Sequence, residues 1–203
     1  MKNSSLKLTE KRVIVFSFLH ALLIFSLGTA GLIYDLHGIT FGIIIILTFT
    51  GLCLLYFKNH SFQNFMRRFS LESLTFLHLW RIIAAVLFIQ YGAENLLPSM
   101  FAYLAGYGDL IAGLMVPVVL YFRDKKISFW LFNIVGFADF LIAVGTGLTF
   151  TFSGSNDIEN LRLLPLAMIP LFGVPISGLT HIVMFDKLGL WTSEKERTTA
   201  KIV

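Results

Sequence analysis

Residues 100–122 read MFAYLAGYGDLIAGLMVPVVLYF, twenty-three positions with one charged side chain, Asp109. A helix of that length rises about 34 Å at ~1.5 Å per residue, enough to cross ~30 Å of hydrocarbon. The stretch therefore predicts a membrane-spanning helix, and it is one of six such runs: 12–34, 39–57, 71–92, 100–122, 127–152 and 163–185. Together they take up most of a 203-residue chain that is 56% hydrophobic and 14% charged, with a mean hydropathy of +0.78. Soluble domains carry about 25% charged residues, so the composition excludes that class. The runs are also too long for the ~10-residue alternating strands of an outer-membrane barrel. The expected fold is an all-α membrane protein, residues 1–203 forming a single transmembrane helical domain.

Basic residues set the orientation, because lysine and arginine are retained on the cytoplasmic side of short loops. They occur at Lys2, Lys7, Lys11 and Arg12, at Lys58, Arg67 and Arg68, at Arg123, Lys125 and Lys126, and at Lys187, Lys195, Arg197 and Lys201. The alternate loops carry Asp35, Glu94, Asp157 and Glu159 against Arg162 alone. Six spans with both termini cytoplasmic satisfy every loop. Between the second and third spans, Phe62, Phe65, Met66 and Phe69 recur at helical spacing beside Arg67 and Arg68, the pattern of an amphipathic segment in the headgroup plane. The sequence pI of 9.3 is then a topological signal. Nucleic-acid binding is not expected, since no soluble domain gathers the bases into one patch.

A basic start, an apolar stretch and Gly28-Thr29-Ala30 also fit a cleavable signal, but the run exceeds an ordinary signal core and is read as a span. Cys53 is the single cysteine, which excludes a disulfide framework or a cysteine metal site. Asn3-Ser4-Ser5 and Asn59-His60-Ser61 match a glycosylation pattern on the cytoplasmic side and are read as chance. The chain has no G-x-S-x-G elbow and no transmembrane lysine for a Schiff base, and the glycines near Asp109 lack dinucleotide spacing.

Charges inside the spans carry the functional information, because each costs about 2.5–3.5 kcal/mol at the centre of a spanning helix. Arg81, Asp109 and Asp139 fall at matching depths on the third, fourth and fifth spans. One guanidinium serving two carboxylates is the economical arrangement, and it leaves a formal charge of −1 that a proton can neutralise. The two acids sit in related stretches, GYGDL at 106–110 and GFADF at 136–140, which run antiparallel as in inverted-repeat transporters, although the first and sixth spans show no echo. Small residues one turn from each aspartate suit helix packing as well as a cavity.

His78, Asn133 and His181 fall on the cytoplasmic side of the cluster. Pro165, Pro170 and Pro175 predict a helix break in the sixth span near 172–175, facing the interior because freed carbonyls cannot face lipid.

HLWRIIAAVLF, ENLLPSMFAYLAGYGDLIAGLMVP, NIVGFADF and LPLAMIPLFGVP with LTHI resemble, over residues 78–190, a group of small bacterial integral membrane proteins left as hypothetical. The resemblance implies a bacterial multi-span protein and carries no activity or residue role.

The leading expectation is a proton- or monovalent-cation-linked transporter or channel with no cofactor, with a homodimer as the assembly that would give a pathway enough room. The alternative is a haem- or metal-binding electron-transfer or enzyme subunit using His20, His78 and His181. A third reading has the cluster serve helix register alone in a structural or accessory protein.

Overall fold

A computed structural model describes residues 2–200, with side chains over 8–190. The eight α-helices are α1 (Lys2–Thr29), α2 (Gly38–Lys58), α3 (His60–Arg67), α4 (Leu71–Phe76), α5 (Arg81–Ala93), α6 (Ser99–Tyr121), α7 (Lys126–Phe152) and α8 (Val174–Ala200). Six helical stretches are long and apolar enough to cross a membrane: Leu8–Thr29, Gly38–Lys58, Leu71–Ala93, Ser99–Tyr121, Lys126–Phe152 and Ile169–Leu190. No strand occurs among the described residues. Lys2, Lys7, Lys195, Arg197 and Lys201, which contribute to the charge pattern, lie outside the residues whose side chains are described.

Several boundaries differ from the sequence reading. The first helix ends at Thr29 rather than at residue 34, and Gly31 at φ +78° lies in the turns that follow. The third stretch is interrupted by a 3₁₀ turn over Leu77–Trp80. The sixth begins at Ile169, not 163, because 156–162 form a 3₁₀ segment and 163–167 run through turns that include a cis Leu164–Pro165 peptide. Pro165 therefore precedes the span. The break expected near 172–175 is a π turn over Ile169–Gly173, in which the Val174 amide donates to the Ile169 carbonyl. In a regular turn the Pro175 ring would strike the carbonyl four residues back, and the wider turn moves that carbonyl aside.

Helix α3 is amphipathic, with Phe62, Phe65 and Met66 buried among the other helices rather than turned outward. Asn59, which carries a glycosylation pattern, caps this helix by accepting from the Phe62 amide at 3.0 Å.

Two apolar clusters fill the bundle. One, toward the end bearing Asp35, Glu94 and Glu159, contains Phe41, Phe88, Phe101 and Leu166; the other, toward the end bearing Lys58, Arg67 and Arg123, contains Tyr56, Phe129, Phe132 and Met184. These ends are called acidic and basic below. The polar cluster lies between them. Helices α5 and α6 approach closely through small residues: a Cβ on Gly92 would stand 2.4 Å from the Ala102 Cβ, and one on Gly113 would stand 2.5 Å from Ile82. Outward faces carry large apolar groups such as Phe18, Leu47, Ile83 and Tyr103.

Gly92→Ala is expected to lower thermal stability in detergent by about 1–3 kcal/mol, the usual effect of overpacking. Gly145→Ala, where a Cβ meets nothing within 4 Å, should leave stability unchanged or raise it slightly.

Candidate functional site

Arg81 opens α5 directly after the 3₁₀ turn, and three-residue winding places His78 and Arg81 on one line of that face. The guanidinium is nearly sealed from the surface, at 3% exposure, and its three nitrogens are all engaged. Nε donates to Asp109 Oδ1 at 2.6 Å, Nη2 to Asp139 Oδ2, and Nη1 to the Gly136 carbonyl at 3.2 Å. One arginine thus ties α5 to α6 and α7. Each acid keeps a second oxygen outside the ion pair, and both acids line a cavity of about 80 Å³.

Two glycines of the related stretches permit this arrangement, each by a different contact. A Cβ on Gly108 would fall 1.5 Å from Asp139 Oδ1, so the α7 carboxylate occupies the space that a side chain at 108 would need. A Cβ on Gly136 would lie 2.6 Å from His181 Cε1 and 3.3 Å from Arg81 Nη1. Gly106 packs instead on Ile89 of α5. The resemblance between the two stretches therefore does not translate into equivalent environments.

Toward the basic end, His78 and His181 stack with ring centroids 4.3 Å apart and planes tilted by 35°. Asn133 fixes His181 from two sides: its amide donates to the His181 carbonyl at 3.1 Å, and its Oδ1 accepts from Nδ1 at 2.7 Å. That pairing leaves His181 Nε2 as the bare nitrogen. The Thr180 hydroxyl donates to the Ser177 carbonyl, so His78 Nε2 donates to Thr180 Oγ1 at 3.0 Å and Nδ1 is bare. Both bare nitrogens are buried without a hydrogen-bond partner.

His20 is not part of this group. It packs on Phe16 and Phe172, and no set of three His, Cys, Asp or Glu able to hold a metal occurs among the described residues. The three-histidine metal reading is therefore corrected. A haem held between His78 and His181 does not fit, because its macrocycle would have to pass between two imidazoles that stack against each other.

Beyond the triad the cavity is mostly apolar, with Phe41, Phe88, Phe101 and Phe140 on its walls beside Thr151 and Ser177. Through Phe41, Thr151 and Leu161 it adjoins a second cavity of about 160 Å³ at the acidic end, lined also by His37, Glu159 and Arg162. Toward the outside of the bundle, Trp80, Ile169 and Ser177 separate it from a groove of about 570 Å³ between α5 and α8. The Trp80 Nε1–Ser177 Oγ hydrogen bond, 3.2 Å long, is part of that wall, and the indole rests where a Cβ on Gly173 would stand. Pro170 lines the triad cavity and Pro165 the groove, while Pro175 lines neither.

The sequence reading misses two polar anchors. At the basic end Asp186 accepts from the Tyr56 hydroxyl at 2.5 Å and from Arg67 at 2.9 and 2.8 Å, while Lys187 donates to the Arg67 carbonyl. At the acidic end buried Arg162 pairs with Glu159 and donates to the Leu36 carbonyl. An acid closing the sixth apolar run, opposite a basic loop, is the signal that could have exposed the first. The second had its own signal in the lone base among the acidic loops.

The chain belongs to the family described as Domain of unknown function (DUF8737), which matches residues 38–189 and so covers every residue of the triad and the imidazole pair. No curated protein and no solved structure matches it.

Removing one partner of a buried ion pair strands the other, at a typical cost of 3–5 kcal/mol. Arg81→Leu should therefore destabilise the protein by about 3–5 kcal/mol, and adding Asp109→Asn and Asp139→Asn should restore most of that loss, read from thermal melts in detergent. Gly108→Ala should disturb the Asp139 arm of the triad and lower the melting temperature more than Gly51→Ala, where a Cβ has open space.

Proposed function

Taking membership of a family without an assigned activity as the premise, we propose that this protein is a small proton- or monovalent-cation-linked transporter of a bacterial inner membrane, its termini cytoplasmic. The observation that carries the reading is the imbalance of the triad: two carboxylates share one arginine, and both border a cavity. At the centre of a bilayer a surplus negative charge is costly, so either one acid holds a proton or both are ionised with a cation bound beside them. Exchange of one for the other is the elementary step of coupled transport.

The surroundings support a direction for access. Behind a wall of Phe41, Thr151 and Leu161 the triad cavity adjoins a second one at Glu159 and Arg162, on the side the lysine and arginine distribution assigns to the exterior. Toward the cytoplasm, Phe129, Phe132, Val183 and Met184 close the bundle with exposures of 1% or less. An exterior-facing cavity above a closed inner half corresponds to one limb of an alternating-access cycle. The stacked imidazoles lie between the triad and that seal, each with one bare nitrogen.

The interior wall at Ile169–Gly173 is the segment suited to move, since a π turn can relax toward regular winding within a helix. Helix α3, tied to α2 and α8 by the Asp186 contacts, then acts as the inner brace.

Purified protein reconstituted into liposomes should carry H⁺, Na⁺ or K⁺ down an imposed gradient, and Asp109→Asn or Asp139→Asn should reduce the flux at least tenfold. Absence of flux for all three ions, or flux indifferent to both substitutions, would overturn the proposal. A cluster serving helix register alone would give that second result.

A further inference from the structure

We infer that the triad cavity takes a small organic ammonium ion, bound in exchange for one proton. This deepens the transport reading and rests on it. The cavity combines a surplus carboxylate charge with a wall built from Phe41, Phe88, Phe101, Phe140 and Trp80. A bare alkali ion needs a shell of oxygens to replace its water, as the carbonyl rings of selectivity filters provide. Here oxygen is scarce. Beyond the two acids and Arg81, which they neutralise in part, the side-chain oxygens on the wall are those of Thr151, whose hydroxyl donates to the Gly147 carbonyl, and Ser177, whose oxygen accepts from Trp80. Aromatic rings serve an ammonium far better, because its charge is spread over polar and methyl hydrogens that meet ring faces while the N–H groups reach a carboxylate. A volume of about 80 Å³ suits an ion of methylammonium size rather than a large lipophilic cation.

Charge balance fixes the stoichiometry. The groups facing the site are Arg81 from α5, Asp109 from α6, Asp139 from α7 and the bare Nε2 of His181 from α8, with His78 stacked behind it. Empty, the triad is neutral with one proton shared between the acids; loaded, it is neutral with both acids ionised and one ammonium bound. One proton leaves as one cation enters, and no bond other than O–H is broken.

The experiment is isothermal titration of the purified full-length protein in detergent with methylammonium chloride, against NaCl and KCl at equal ionic strength, in two buffers of different ionisation enthalpy. Saturable binding of methylammonium that the alkali salts do not match, with about one proton released per ion, is the expected result. Asp139→Asn should abolish it, and Phe101→Leu or Phe140→Leu should weaken it by about 3- to 30-fold. No saturable binding in the wild-type protein, equal competition by Na⁺ or K⁺, or binding indifferent to both phenylalanine changes would overturn the inference. Aspartate-dependent H⁺ or alkali flux in liposomes without methylammonium binding would sink this inference and leave the transport reading standing. Absence of both would sink the two together.

Discussion

A guanidinium shared by two carboxylates from neighbouring helices is the contact on which the rest of this structure depends. Each charge alone costs several kcal/mol in hydrocarbon, so the three must meet, and their meeting sets how α5, α6 and α7 lie. Close approach of those helices follows from the same requirement: Gly108 makes room for the Asp139 carboxylate, Gly136 for His181 and the guanidinium, and Gly92 and Gly113 let α5 and α6 touch nearly backbone to backbone. The small residues and the charges form one solution. Either set without the other would leave a gap or an unpaired ion.

Around this centre the bundle is asymmetric. Apolar side chains pack the basic half around Phe129, Phe132 and Met184, with a cleft at its edge beside Glu72 and Arg123, whereas toward the acidic end a second cavity adjoins that of the triad. Polar fastenings appear at both ends, through Asp186 with Tyr56 and Arg67 at one and through Arg162 with Glu159 and Leu36 at the other. They hold short connections in place and leave the middle of the molecule to the charged cluster. Helix α1 contributes little to this interior, burying Ile24 among its described residues, and it lies outside the family match.

The number of long apolar helices was legible in the sequence because run length and hydropathy report directly on the solvent a segment prefers. Three isolated charges at equal depth also pointed to one another, since hydrocarbon leaves them no other partner. What periodicity could not show was winding. Nothing in Leu77–Trp80, without proline or glycine, marks a 3₁₀ turn, and the spacing of Pro170 and Pro175 announces a disturbed helix without saying that it widens rather than breaks. Segments near 30–35 and 163–168 are as apolar as the helices beside them, so composition extended the first and sixth spans too far. His20 was grouped with His78 and His181 by depth alone. Depth fixes height along a helix and leaves azimuth free, and its azimuth turns it to Phe172.

The widened turn at Ile169–Gly173 has a consequence for side-chain azimuth. Met168, Phe172, Ile176 and Thr180, four apart, border the same groove. In ordinary α winding each four-residue step overshoots a full revolution by ~40°, and three steps would carry the last residue well around the cylinder. One extra residue taken up in the π turn absorbs much of that overshoot. The stripe thus stays aligned with the groove, and His181, its neighbour, arrives where it meets His78 and Asn133. Winding 169–173 as ordinary α-helix with no residue removed would instead swing both Thr180 and His181 by about a quarter revolution, dismantling the imidazole stack with every one of its members still present.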